Sequence, residues 1–308
     1  MNTDEGMRRG LRDRLRRLFG RGSHALTPAL QTVWTGASSF CECPVWLPRS
    51  RTLWWLDIDS GLLRSYSITS AMVKEWNVGT LSSGLTADVD EDTLIIGRDD
   101  QLRRFATSTG ELTPFDEVPA MTDGERINDL GRSPDGALWV ATMDGRGERP
   151  TGRLLRRTPD GAWLTVLRGV PIVNGPAFDA RRDCGYVCDS VGRRVLRFPT
   201  PPITSTSCEA ATTFLELGVR DGSPDGIAVD DTGDLWVAQY GGSRATRFTA
   251  DGRVAQVIAM PDVNVTSVAI GEDTLFLTTA RHSPPRGASQ SGGVYALPHD
   301  TATARSLP

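Results

Sequence analysis

Four residues in separate parts of the chain carry oxygen-bearing side chains, and each begins a short run of mainly small or apolar residues. They are Glu42 (ECPVW), Asn128 (NDLGRS), Asn174 (NGPAF) and Asp225 (DGIAV). Carboxylate and amide oxygens are the ligands that hard divalent cations prefer, so calcium, magnesium and manganese fit best, with zinc tolerated. Glu42, Asn174 and Asp225, with Asn128 nearby and water completing the shell, therefore predict one divalent cation with open coordination positions, as a catalytic site requires.

A repeat places these residues in equivalent positions. Each unit is a short aromatic or β-branched strand, a polar turn and a second strand that ends in arginine or an aromatic residue. The six units start 40 to 49 residues apart, at Leu53, Leu94, Leu138, Tyr186, Leu235 and Leu275. No long helical pattern follows residue 30, and this period is typical of propellers. The sequence therefore predicts an all-β protein, a six-bladed β-propeller of four-stranded blades around a central channel.

The predicted propeller occupies residues 31–298 as one domain, because removing a blade would open the ring. We expect a strand from one terminus to complete a blade at the other. Residues 299–308 are predicted to be a C-terminal tail.

The innermost strand of each blade starts beside the channel, 8–12 residues before each repeated strand. The residues at this register are Glu42, Ser83, Asn128, Asn174, Asp225 and Thr266. Converging polar groups are costly to bury without a partner, and two neighbouring carboxylates repel unless a cation neutralises them. A water-filled channel, or a calcium ion that only ties the blades together, is the alternative that these residues leave open.

Charge and composition restrict the partners. The 308 residues carry a net charge of −4, which gives no reason to expect nucleic acid as a partner, and no apolar run approaches the length of a membrane span. Without an export signal, the five cysteines are expected to be reduced thiols, and we predict a cytoplasmic protein.

Residues 1–30 differ from the rest of the chain. MRRGLRDRLRRLFGRG places leucine and phenylalanine on one helical face that arginine otherwise covers. A membrane-surface or protein-docking helix is one interpretation. A solvated, partly ordered or helical extension is the favoured one.

Cys41 and Cys43 flank Glu42. On a regular strand their side chains point away from that of Glu42, so we expect them to pack between strands and not to bind metal. This expectation depends on the absence of a bulge, because a bulge re-aims side chains.

The chain resembles the senescence marker protein (regucalcin) / gluconolactonase / luciferin-regenerating enzyme family over about residues 34–297. The family's Glu-Gly-Pro-x-Trp element is similar to residues 42–46, and its Arg-x-Asn-Asp element to residues 126–129. Its Asn-Gly element is similar to residues 174–175, with Tyr186 and Asp189-Ser190 downstream, and its Pro-Asp-Gly element to residues 224–226. Four such motifs in order are specific together.

The resemblance implies a metal-dependent lactonase. It implies Glu42, Asn174 and Asp225 as metal ligands, Arg126 and Asn128 as substrate contacts, and Asp225 as the base. The cation would polarise the lactone carbonyl while water is activated for attack. The chain departs from the family pattern in two places: cysteine stands on both sides of Glu42, and Pro176 follows Asn-Gly. We expect these changes to affect activity on the family's usual substrate more than metal binding.

Other functions stay open. Related propellers suggest hydrolysis of an organophosphate or another ester, and the altered Glu42 motif suggests a tailoring enzyme for a less sugar-like lactone. A non-catalytic, calcium-binding regulatory propeller would bind calcium without turnover. The substrate is expected to be read by the loops at 144–151 and 281–292, where Glu148 and His282 are candidate pocket residues, although an ordinary loop role is favoured for both.

Overall fold

The computed structural model describes residues 30–36, 40–200, 211–281 and 292–299. In chain order the strands are β1 (Gln31–Thr35), β2 (Cys41–Leu47), β3 (Thr52–Asp57), β4 (Leu62–Ser67), β5 (Met72–Asn77), β6 (Ser82–Ala87), β7 (Thr93–Arg98), β8 (Gln101–Ala106), β9 (Leu112–Glu117), β10 (Glu125–Arg132), β11 (Leu138–Asp144), β12 (Gly152–Arg157), β13 (Trp163–Val170), β14 (Val173–Asp179), β15 (Cys184–Asp189), β16 (Arg194–Pro199), β17 (Thr212–Glu216), β18 (Ser223–Val229), β19 (Leu235–Tyr240), β20 (Arg244–Phe248), β21 (Val254–Ala259), β22 (Asn264–Ile270), β23 (Thr274–Ala280) and β24 (Gly293–Pro298).

These strands form six four-stranded antiparallel sheets, which confirms the six-bladed propeller. Five blades are consecutive meanders: β2–β5, β6–β9, β10–β13, β14–β17 and β18–β21. The last sheet has the order β1-β24-β23-β22, so the first strand of the chain completes the last blade. The expected closure by a terminal strand is therefore confirmed.

The hydrophobic core is divided among the interfaces between neighbouring blades. Six clusters of buried residues each join two adjacent sheets. The tryptophans of the repeated strands lie in them: Trp55, Trp139 and Trp236 are each at most 1% exposed. Each propeller blade packs against a neighbour through both of its faces. Consecutive residues of its inner strands are therefore apolar, as in the repeated LWV pattern.

Every innermost strand departs from regular pairing at its predicted channel residue. The pairing of β2, β6, β10, β14, β18 and β22 with the next strand skips residues at or immediately beside Glu42, Ser83, Asn128, Asn174, Asp225 and Thr266. Bulges of this kind re-aim a side chain and are common beside active sites. The repeat therefore places a pairing irregularity at or beside each of the six predicted channel residues.

The described residues contain one helical element, a single 3₁₀ turn at Val219–Asp221. No helix among them is long and apolar enough to cross a membrane. Residues 1–29 of the predicted extension 1–30, with its docking role, and residues 300–308 of the predicted tail 299–308 lie outside the described residues, as does His282. Of the two remaining positions, Leu30 packs against a core cluster, and His299 is buried with its ring edge-on to Trp236.

Candidate metal and substrate site

A cavity of about 350 Å³ opens at one end of the channel. Five of its lining residues are the predicted site residues: Glu42, Arg126, Asn128, Asn174 and Asp225. They come from β2, β10, β14 and β18, the innermost strands of four blades. The repeat register thus brings together residues that are far apart in the chain.

The other two channel residues serve a different purpose. The Ser83 hydroxyl donates a 2.6 Å hydrogen bond to the backbone carbonyl of Ile127 in the next blade. The Thr266 hydroxyl donates a 2.6 Å bond to the carbonyl of Cys41, across the junction between the last blade and the first. Neither residue is among those lining the cavity. Of the six polar residues predicted to converge, four therefore line the cavity. The other two form hydrogen bonds between neighbouring blades.

Two of the three acidic residues that line the cavity, Glu42 and Asp225, lie close together. Glu42 is 4% exposed and Asp225 7% exposed, and each carboxyl group influences the pKa of the other. Burial raises the pKa of Glu42 well above its usual range, and the neighbouring carboxyls of Asp225 and Asp129 raise it further, against an opposing effect of Arg126. Burial and the Asp129 carboxylate likewise raise the pKa of Asp225. Both groups are held where a cation would favour their ionised forms.

The amide of Asn174 is oriented by its neighbours. Its Nδ2 donates to Ser190 Oγ at 2.9 Å, and its Oδ1 accepts a 2.8 Å bond from Asn128 Nδ2. Asn128 Nδ2 also donates to the carbonyl of Val173 at 3.0 Å. Ser190 lines the cavity as well. An amide with its nitrogen bound to Ser190 presents its oxygen towards the other cavity residues, which is the orientation that a cation ligand needs.

Arg126 is the cationic residue among those that line the cavity. Its Nη1 donates a 3.0 Å hydrogen bond to the Ile127 carbonyl. Burial lowers the pKa of its guanidinium, opposed by the nearby Glu42 and Asp99. Arginine stays protonated under such shifts, so Arg126 can orient an anionic or carbonyl oxygen of a substrate.

Asp129 lines a second cavity, about 520 Å³ in volume, and its carboxylate raises the pKa of both Glu42 and Asp225. Its carboxylate accepts hydrogen bonds from the backbone N–H groups of Gly175 (2.9 Å) and Leu130 (2.8 Å). Burial raises the pKa of Asp129 to about 7, although these bonds oppose the shift. The sequence indicated no role for Asp129, and the structure shows it linking two blades.

The donor set fits a hard cation. Glu42, Asp225 and Asp129 are three buried carboxyl groups, and Arg126 is the cationic side chain beside the first two. Among the residues described, no group of three or more histidine, cysteine, aspartate and glutamate side chains has the arrangement of a metal site. A cation here would accordingly be held by two carboxylates and the Asn174 amide, a mixed oxygen set that suits calcium or magnesium better than zinc.

The cysteines beside Glu42 do not follow the expected strand alternation. The pairing of β2 with β3 is irregular between Glu42 and Val45, and Cys43 has a φ of 51°. The premise of a regular strand is therefore wrong, because the bulge re-aims side chains. The sulfurs nevertheless avoid the cavity: Cys41 is packed in a core cluster, and Cys43 Sγ donates towards Ser83 O and Asp129 Oδ1. Cys43 lines the second cavity.

Two pocket candidates from the sequence have different outcomes. Glu148 is exposed, is not among the lining residues, and its backbone N–H donates to Asp144 Oδ2 at 3.0 Å. His282 lies outside the described residues, so its placement stays a prediction.

Several lining residues were not identified from the sequence. They are mostly apolar and lie at the ends of the first and second strands of the blades: Phe40, Ile58, Met143, Ile172, Val191, Pro224 and Tyr240. Their position in the repeat could have identified them, because a residue that ends a repeated strand on the channel side must lie near the cavity. The phenol of Tyr240 has its pKa raised to about 12 by burial and by the Asp225 and Glu42 carboxylates, so it stays protonated.

Several known proteins are similar to this chain in sequence. Residues 40–281 match the sequence model of the family described as SMP-30/Gluconolactonase/LRE-like region. The pentonolactonase XacC of Haloferax volcanii is 31% identical over 242 residues, which are 78% of this chain and 81% of that protein. The L-arabinolactonase of Azospirillum brasilense is 30% identical over 249 residues, covering 78% and 80% of the two chains.

A solved structure has the same fold. The calcium-binding protein regucalcin from Agrobacterium tumefaciens superposes with a TM-score of 0.79, at 27% identity, over 88% of this chain and 93% of that one.

Proposed function

The chain belongs to the SMP-30/gluconolactonase/LRE-like family, and we propose that it is a divalent-metal-dependent hydrolase that opens a lactone ring. The observation that carries the proposal is the pair of buried carboxyl groups, Glu42 and Asp225, that line one cavity with the oriented amide of Asn174. The similarity to a pentonolactonase and an L-arabinolactonase supports the lactone as substrate class.

Glu42, Asn174 and Asp225 would hold one divalent cation, with calcium favoured and manganese, magnesium or zinc as alternatives. When bound, such a cation supplies charge stabilisation for a carbonyl oxygen and a lower pKa for water. The similarity to a calcium-binding regucalcin supports calcium. Binding would favour the ionised forms of both Glu42 and Asp225, whose pKa values burial raises.

The protein's own side chains would divide the remaining tasks. Asp225 would take a proton from the attacking water as the ester bond of the lactone is broken, and later return it to the departing alkoxide. Arg126 and Asn128 would orient the substrate, Arg126 through the donors not used by the Ile127 carbonyl. The products are the open hydroxy acid and no other fragment.

Titration of released acid tests this function directly. The protein, supplied with each of calcium, manganese, magnesium and zinc in turn, is assayed with γ- and δ-lactones. Replacing the base by Asp225→Asn is expected to lower kcat by about 10²- to 10⁴-fold. An Asp225→Asn protein that keeps full activity and its metal would overturn the assigned base. A wild type that opens no lactone would overturn the function.

A regulatory calcium-binding role is the second candidate, and the fold shared with a calcium-binding regucalcin favours it. It predicts stoichiometric calcium binding with no turnover of any lactone, ester or organophosphate. The two candidates are separated by turnover, since both need the same metal ligands.

A further inference from the structure

Much of the wall of the Glu42 cavity is hydrocarbon. Six lining residues, which we call the apolar wall, offer apolar or aromatic surface: Phe40, Ile58, Met143, Ile172, Val191 and Tyr240. They come from the same four blades as the polar site residues. The rings of Phe40 and Tyr240 stack with centroids 6.4 Å apart and planes 22° from parallel.

Eight other lining residues are polar, and several of them already have hydrogen-bond partners. Arg126, Asp59, Ser190 and Ser223 line the cavity in addition to Asn128 and the three proposed metal ligands. Arg126 donates to the Ile127 carbonyl, and Ser190 accepts from Asn174. A ring carrying several hydroxyl groups would bury some of them against carbon, and a buried polar group without a partner is costly.

The stacked aromatic residues alone do not distinguish a hydrocarbon substituent from a sugar ring, because aromatic faces also pack on sugar rings. The aliphatic members make the distinction: Ile58, Ile172 and Val191 have no polar side-chain atoms and cannot hydrogen-bond a hydroxyl through their side chains. Val191 is 48% exposed, so part of its hydrocarbon surface is open to solvent and can still be covered by a ligand. Covering such surface with an alkyl or aryl group stabilises a complex by about 25 cal/mol per Å².

On the basis of the proposed lactone hydrolysis, we infer that the preferred substrates are lactones bearing an alkyl or aryl substituent, in place of polyhydroxylated sugar lactones. The ring carbonyl would lie at the Glu42–Asp225 end and the substituent along the apolar wall. A cavity of about 350 Å³ is within the usual size of small-molecule sites.

The test is a substrate series with the metal-loaded protein. γ-Butyrolactone, γ-valerolactone, γ-hexalactone and γ-octalactone are compared with xylono-γ-lactone and glucono-δ-lactone, each by titration of released acid. We expect kcat/KM to rise about three- to four-fold for each added methylene and to exceed the values for both sugar lactones.

A matched pair of valine variants tests where the substituent lies. Val191→Asn is expected to lower the γ-octalactone to γ-butyrolactone ratio of kcat/KM by about five-fold, by replacing hydrocarbon with an amide. Val89→Asn makes the same change at a 74% exposed turn residue that does not line the cavity, and should keep the wild-type ratio.

The outcomes separate this inference from the function on which it rests. Faster hydrolysis of the sugar lactones, or no gain with chain length, overturns the substrate class and leaves lactone hydrolysis standing. Hydrolysis of none of the six lactones overturns both. If Val191→Asn and Val89→Asn have the same γ-octalactone to γ-butyrolactone ratio of kcat/KM, the assignment of the apolar wall is overturned.

Discussion

Asn128 and Asn174, on neighbouring blades, are joined by a 2.8 Å hydrogen bond from the Nδ2 of the first to the Oδ1 of the second. Because Asn128 Nδ2 can only donate, the amide of Asn174 has one orientation in which both Asn128 and Ser190 are satisfied. The oxygen of a proposed metal ligand is thereby fixed by residues that need not touch the metal. Such supporting contacts commonly tune metal affinity.

Ser190→Ala should weaken binding of the divalent cation by about ten-fold, because the Asn174 amide loses the partner that orients it. Calorimetric titration of chelator-stripped protein measures the affinity. Ser223→Ala is the matched control, since Ser223 lines the same cavity and is not the partner of Asn174. Equal affinities for the two variants would show that Ser190 does not position the ligand.

Glu42→Gln should make the metal-free protein more stable and the metal-loaded protein less stable than wild type. Near pH 8 the substitution removes one of the buried carboxyl groups that repel each other, which we expect to raise the metal-free unfolding free energy by about 1 kcal/mol. The stabilisation on adding calcium should disappear, because it depends on binding to the native state. Urea unfolding with and without calcium measures both; an unchanged calcium effect would contradict the assigned ligand.

Cys43→Ala should leave cation affinity within about two-fold of wild type, because its sulfur contacts Ser83 and Asp129 and lines the other cavity. Burial also raises the pKa of the Cys43 thiol well above its usual range, so a metal-binding thiolate is disfavoured. The same titration checks this. A large loss of zinc affinity would instead identify Cys43 as a ligand.

Glu125 and Arg153 form a buried ion pair whose stabilising effect should depend on pH. Glu125 Oε1 accepts from Arg153 Nε at 2.8 Å, and the two side chains are 0% and 10% exposed. Burial alone would raise the pKa of Glu125, but hydrogen bonds from Arg153, Thr122 and Thr142 outweigh it, and the pKa is lowered. The pair therefore stabilises the fold above the unfolded pKa of about 4.3, and this is lost as pH falls through the lower folded value.

Glu125→Gln should accordingly cost about 3 kcal/mol at pH 7, and the difference from wild type should shrink as pH falls towards 3. Urea unfolding at several pH values measures it. Asp251→Asn, which breaks the exposed pair with Arg253, should cost little at any pH. A Glu125→Gln cost that is the same at every pH would contradict the account.

The fold and the polar half of the site could be predicted because both follow from repetition. Six similar units set the number of blades, and the same register identified Glu42, Asn128, Asn174 and Asp225. The bulge after Glu42 could not be read from CECPVW, because irregular pairing depends on the facing strand. The apolar wall escaped prediction for another reason: Ile58 or Val191 has no distinctive chemistry until the blades bring it to the cavity.

The most direct test of the central claim is lactone hydrolysis before and after a divalent cation is returned to chelator-stripped protein. We predict that the stripped wild type is inactive, that calcium, manganese, magnesium or zinc restores turnover, and that none restores it in Glu42→Gln. Full activity in the stripped wild type, or in Glu42→Gln, would contradict a hydrolase whose cation is held by Glu42.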